Sequence, residues 1–256
     1  MESVVAGSAK HYAEALPSAP LRSHFRCKWT HRIPHDLAGN FIVVPDGCVD
    51  LLWIDGRLMV AGPDRSAAVE AIAPGSVVSG LRFQPAAAIK WLGVPMSEIV
   101  DRRVGLEELW GAEARRHADW IGEANTQAER IHRLEARLIR KAMTTEPADR
   151  DMAGVFGLLD GKVDSLVPSV ADLVMRLDTS ERTLRRRCRE AFGYGPKTLD
   201  RVLRFQRFLA LARRPGERRL AQWAVEAGYA DQAHLAREVK RLSGLSPSAV
   251  IGQLAM

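Results

Sequence analysis

Residues 179–193 read TSERTLRRRCREAFG, and residues 228–243 read GYADQAHLAREVKRLS. In the first stretch five arginines fall between Arg182 and Arg189, yet Leu184, Cys188 and Phe192 recur every four residues. That spacing predicts a helix with one stripe to bury and one face crowded with guanidinium groups. In the second stretch Leu235 and Val239 form a stripe of the same kind beside Gln232, His234 and Arg237. Neither a purely solvated helix nor a core helix has a use for both faces.

Reading outward, each stretch follows a short apolar-periodic helix, carried by Val170, Leu173, Val174 and Leu177 in one case and Leu220, Trp223, Ala224 and Ala227 in the other. A small or β-branched residue, Val174 or Ala224, stands where two helices would cross. Four residues later comes a residue able to turn through left-handed backbone space, Asp178 or Gly228. Ser180 and Asp231 then cap second helices that Leu184 and Leu235 lock inward. Ser180 is followed at three residues by Thr183 rather than Glu, so the cap lacks a full capping box. This is a helix-turn-helix pattern written twice.

Residues 196–213 join the units as one helix, with Leu199, Val202, Leu203, Phe208 and Leu209 facing inward. At 1.5 Å per residue it spans about 25 Å. Such a spacer suits two reading helices about 34 Å apart, one turn of B-DNA. Along it Lys197, Arg201, Arg204 and Arg207 are expected to be solvated or phosphate-facing.

Charge agrees with that reading. Residues 170–256 hold 17 Lys and Arg against 9 Asp and Glu, whereas residues 1–169 hold 20 against 22. The basic excess belongs to the last third and is mostly arginine, which forks onto phosphate and reads guanine edges. Charge alone also permits a non-specific nucleic-acid binder.

The first two thirds have another texture. Runs such as FIVV (41–44), VDLLWI (49–54), RLMVAG (57–62) and SVVSGLRF (76–83) are separated by turn chemistry, which predicts a small antiparallel sheet or barrel-like sandwich. Short helices follow at PAAAIKWLG and GLEELWG, then helix from 112 to 143 with a break near 122–126. In its second half Ile131, Leu134, Leu138 and Ala142 form a stripe that suits either internal packing or a dimer seam. TTEPADRD (144–151) is the linker, and a helix over 152–159 precedes the paired units.

No apolar run is long enough to span a membrane, and residues 1–20 are expected to form a flexible leader without a secretory signal. The odd set Cys27, Cys48 and Cys188 argues against a disulfide framework and agrees with a reducing compartment, so a cytoplasmic location is expected, and the DNA-binding reading adds association with the nucleoid. No metal, cofactor or catalytic residue is assigned. Cys27 and Cys48 near His24, His31 and His35 match no ligand spacing, and Cys48 in its turn keeps a redox role open. Trp29, Trp53, Phe83 and Trp91 suit either the core or an effector pocket. A β-barrel-type enzyme with a basic helical tail is the alternative, but no nucleophile elbow, phosphate loop or HExxH is present.

SERTLRRRCREAFGYGPKTLDRVLRFQRFLALA, followed by LAQWAVEAGYADQAHLAREVKRLSGLSP, resembles the DNA-binding domain of the AraC/XylS family of bacterial transcription regulators over residues 169–253. The upstream order VPDGCVDLLW, VAGPDR, GLRFQPAAA, GVPMSEIVDRRVGLEELWG resembles a poorly characterised N-terminal domain found in a subset of that family. The resemblance implies that Arg182, Arg185 and Arg186 in the first reading helix, and Gln232, His234, Ala236 and Arg237 in the second, face base edges. Arg187 and Arg189 turn off that face, to phosphate or solvent. Asp178 stands where glycine is usual and Cys188 where phenylalanine is usual, which should loosen the first unit.

The fold expected is α+β: a flexible leader (1–20), a β-rich sensor domain (21–110), a helical dimerisation segment with linker (111–146), and an all-α tandem helix-turn-helix domain (151–256). Its partners would be double-stranded promoter DNA, a small-molecule effector, a second copy of the chain and RNA polymerase, with no membrane.

Overall fold

The computed structural model describes residues 4–5, 12–35, 40–161, 167–214 and 219–254. Among the described residues nine strands form two sheets. The larger has the order β2 (Tyr12–Ala15), β3 (Phe25–Arg32), β8 (Val77–Phe83), β5 (Asp50–Ile54), β6 (Arg57–Ala61) and β9 (Arg103–Gly105), with every neighbouring pair antiparallel. The smaller joins β1 (Val4–Val5), β4 (Phe41–Val43) and β7 (Ala68–Glu70). Its β1–β4 pair is parallel and its β4–β7 pair antiparallel, so the domain is antiparallel as expected apart from this short pair.

Strand β2 lies inside the segment read as a flexible leader. Tyr12 tilts over Trp29 at 5.8 Å, and the backbone N–H of Ser18 donates 2.7 Å to the buried carboxylate of Glu135. Lys28 pairs with the same carboxylate at 2.9 Å. A buried charge must be partnered, so these contacts hold residues 12–18 down. Ala19 and Pro20 open a short 3-10 turn (Ala19–Leu21), and of residues 1–11 only Val4–Val5 is described, so the rest of the expected leader lies outside the described residues.

Four helices cover the large sheet: α1 (Ala88–Leu92), α2 (Leu106–Trp110), α3 (Ala112–Gly122) and α4 (Gln127–Ala142). The break between α3 and α4 falls where the sequence places it, with Thr126 capping the Glu129 N–H at 3.2 Å. Leu134 and Leu138 are buried with Leu51, Trp53, Phe83 and Trp91 in one core, so these two residues of the stripe pack internally. Trp53, Phe83 and Trp91 are core residues, whereas Trp29 is half-buried.

His24 is buried edge-on to Trp91 at 5.2 Å, and its Nδ1 has no hydrogen-bond partner among the described residues. Burial lowers its pKa. A histidine held neutral in the fold but free to protonate once unfolded favours the fold above its ordinary value of about 6.5, and that advantage is lost as pH falls toward the folded value. His24→Phe is therefore expected to flatten the acid limb of stability below about pH 6.5. Urea midpoints of both proteins at pH 7.5 and 5.5 check this; an equal acid loss in the two would assign the limb elsewhere.

The C-terminal domain contains α5 (Arg150–Asp160), α6 (Val170–Arg176), α7 (Glu181–Phe192), α8 (Pro196–Ala212), α9 (Leu220–Ala227), α10 (Gln232–Ser243) and α11 (Pro247–Leu254). Helix α8 runs through its centre, starting with Pro at its first position, and Leu199, Val202, Leu203, Phe205, Phe208, Leu209 are fully buried along it. Phe208 stacks near Phe205 at 6.4 Å and meets Trp223 of α9 edge-on at 6.3 Å.

The two domains meet along a packed seam. The Pro45–Gly47 turn enters between α5 and α8, where Gln206 Nε2 donates 2.7 Å to the Pro45 carbonyl. A Cβ on Gly47 would lie 3.2 Å from the Phe156 ring. At the end of α7, Gly193 takes φ +86, and a Cβ there would lie 2.5 Å from Val100 Cγ2, 2.8 Å from Pro63 Cγ and 3.2 Å from the Met96 carbonyl. Near the end of α10, the Leu242 carbonyl accepts from the Ala67 N–H at 2.7 Å. Helices α7 and α10 are thus tied near their C-terminal ends to the N-terminal domain.

Candidate nucleic-acid interface

The two helix-turn-helix units share their turn chemistry atom for atom. In the first, Thr179 N–H bonds the Val174 carbonyl at 3.2 Å and Asp178 N–H bonds Met175 at 3.3 Å. In the second, Tyr229 N–H bonds Ala224 at 2.8 Å and Gly228 N–H bonds Val225 at 2.9 Å. Closing both turns this way needs a left-handed residue, and Asp178 (φ 44) and Gly228 (φ 91) supply it. Ser180 Oγ then caps the Thr183 N–H at 3.1 Å, and Asp231 Oδ1 caps His234 N–H at 2.6 Å. Leu184, Ala224 and Leu235 are fully buried and Val174 is half-buried, as the crossing and locking positions require.

The opposite faces point outward. Arg182, Arg185, Arg186 and Arg189 are exposed on α7, and Gln232 and Arg237 on α10. Arg185 bonds Glu181 one turn back and Arg186 bonds Glu190 one turn on, each at 2.9 Å. Pairs this exposed are worth at most about 0.5 kcal/mol and give way readily to a better acceptor. Arg182 has no partner among the described residues. His234 is half-buried, edge-on to Tyr229 at 5.3 Å, and its Nδ1 accepts from the Ala230 N–H at 3.4 Å. Ala236 is also half-buried.

Several cations are not where the sequence suggests. Arg187 turns inward to Asp149 at 2.9 Å and Asp151 at 2.9 Å, anchoring the start of α5. Burial pushes the Asp149 carboxyl up, but hydrogen bonds from Arg187 and from backbone N–H groups bring it below its ordinary value. Arg201 pairs with Glu238 at 2.6 Å, and Arg204 bonds Asp200 while lying 5.6 Å above the Tyr229 ring. Arg207 is buried altogether. Of the four cations on the spacer helix only Lys197 is exposed, and it helps line a cavity of about 300 Å³ where α8, α10, the end of α5 and the start of α6 meet.

Cys188 is fully buried, and burial pushes its thiol up to about 12, so it serves as packing. Burial likewise pushes the Cys27 thiol up to about 11. The Cys48 thiol is raised well above its ordinary value by burial and then by Asp46, the opposite of what a reactive thiolate needs. Among the described residues no group of three or more His, Cys, Asp or Glu could hold a metal ion, and no helix is long and apolar enough to cross a membrane.

Residues 173–253 match the family model of a helix-turn-helix domain, and residues 13–105 match a domain of unknown function, DUF6597. The second match begins at 13, within the strand that replaces the expected leader. No curated protein matches the chain. Similar solved structures include ToxT from Vibrio cholerae at 14% identity, covering 96% of this chain and 100% of that one with a TM-score of 0.49. They also include ToxT from Vibrio cholerae O395 bound to (E)-4-(8-methylnaphthalen-1-yl)but-3-enoic acid, at 13% identity, 96% and 100% coverage and a TM-score of 0.48. The chain joins a DUF6597 domain to a C-terminal helix-turn-helix domain of the AraC type, the architecture of a DNA-binding transcription regulator.

Proposed function

We propose that this regulator binds specific promoter sequences by laying α7 and α10 in adjacent major grooves on one face of the duplex. Arg182, Arg185 and Arg186 read guanine edges, Gln232 reads adenine, and His234 and Arg237 complete the second half-site. Exposed cations outside these positions, Arg189 and Lys197 among them, supply phosphate contacts and register. The observation that carries the reading is the repetition of one bonded turn, each followed by a capped helix with its long polar side chains turned outward.

The N-terminal domain modulates binding through a small effector or through self-association, and the bound protein acts on RNA polymerase in the cytoplasm, on nucleoid DNA. With Leu134 and Leu138 of α4 buried in the domain's own core, an effector is the better supported of the two. A thermal-shift screen of the full chain against small molecules, beside sedimentation at rising concentration, separates them. A shift without a change in mass favours the effector.

A footprint on the DNA upstream of the protein's own coding sequence tests the central claim. Two protected segments one helical turn apart are expected. Arg186→Ala should weaken cognate binding by about 1–3 kcal/mol and relax one base position. Equal binding of cognate and scrambled duplexes, before and after the substitution, would remove direct readout.

A further inference from the structure

Among the described residues Arg207 is the one buried arginine, at 7% exposure on α8. Its Nη1 donates 2.5 Å to the carbonyl of Leu159 in the last turn of α5, and its Nε donates 3.3 Å to the carbonyl of Ala227, the last residue of α9. Neither carbonyl has a successor in its own helix to bond, and both lie at the negative ends of helix dipoles. Two helix C-termini therefore converge on one guanidinium, with Asp200 Oδ1 3.9 Å from its Nη2. This offsets the cost of burying the charge. The next residue after Ala227 is Gly228, the turn that aims α10, where a Cβ would lie 3.5 Å from Arg207 Nη2.

We infer that Arg207 is a positioning residue for the second reading helix: it fixes the end of α9, and so the Gly228 turn and the direction of α10, to the spacer helix and to α5. The inference rests on the proposed reading of DNA by α10 and adds a residue that touches no base. A planar fork spans two carbonyls on different helices; an ammonium, as a single point of charge, cannot hold both in the same way.

The test uses the full chain and two duplexes, one with both half-sites intact and one with the half-site of α10 scrambled. Wild-type protein should prefer the intact duplex by about tenfold or more, the worth of one good bidentate base contact. Arg207→Met should bind the scrambled duplex as wild type does but lose most of that preference, with footprint protection fading over the α10 half-site alone. Arg207→Lys should keep part of the preference. A folded Arg207→Met with the wild-type preference overturns the assignment. If Arg207→Met does not fold, Arg207→Lys decides: undiminished preference overturns the assignment and partial loss supports it. A wild-type protein that binds both duplexes equally refutes the reading of α10 and the inference with it.

Discussion

Gly193→Ala is expected to cost about 2–4 kcal/mol, because two penalties act at one atom. The backbone at φ +86 disfavours any L side chain, and the added methyl meets Val100 and Pro63 of the other domain at 2.5 and 2.8 Å. Gly244 provides the control. It closes α10 at φ +75, yet a Cβ there meets nothing within 4 Å. Gly244→Ala should therefore lose only the backbone part, about 1 kcal/mol. Urea unfolding of the two variants beside wild type measures the difference, which is the resistance of the seam to being opened. Equal losses would mean that the N-terminal domain yields freely at this contact.

Phe208→Ala should be costlier, about 3–5 kcal/mol, as for other fully buried phenylalanines. Its ring fills the space between Phe205 on its own helix and Trp223 on α9, so removal leaves a void between the spacer and the second unit. Domains are stable by about 5–15 kcal/mol, and so a large share of the total would go. Thermal melting should fall accordingly, and DNA binding should disappear well below the wild-type melting temperature. A loss under about 1 kcal/mol would mean that α9 closes onto α8 to fill the gap.

The paired units were legible because their signals are local. A cap, a left-handed turn residue and an apolar stripe all act within one or two turns of helix, and Ser180, Asp178, Gly228 and Asp231 perform the parts their chemistry suggests. The same holds for the runs of strand and for the break before Thr126. What the sequence concealed depends on contacts made over long separations. Ser18 gives no sign that a carboxylate 117 residues away will hold it. Gly193 reads as an ordinary helix end, and only the assembled seam shows that no larger residue fits.

Arg207 was concealed less well. It falls four residues after Leu203 and four before Leu211, in phase with the stripe that begins at Leu199. A charged residue on that line signals a buried partner, and attention to its phase would have separated it from exposed Lys197. Arg187 carries a similar sign, three residues after Leu184 and four before Ala191. For Arg182, Arg185, Arg186 and Arg189 the periodicity set the face, and all four are exposed on α7.

The seam also sets the rules for exchanging parts with other regulators. A chimera cut in the loop near residue 146 would carry α7 and α10 away from the surfaces that hold Gly193 and the Leu242 carbonyl, and would leave Val100, Pro63 and the Pro45 turn facing a foreign domain. The transferable unit is larger than the reading domain: it includes the segments around 45–47, 63–67 and 96–100. A graft that brings them along should keep the seam packed, whereas a cut at the linker should leave both surfaces open and lower the urea midpoint of the chimera.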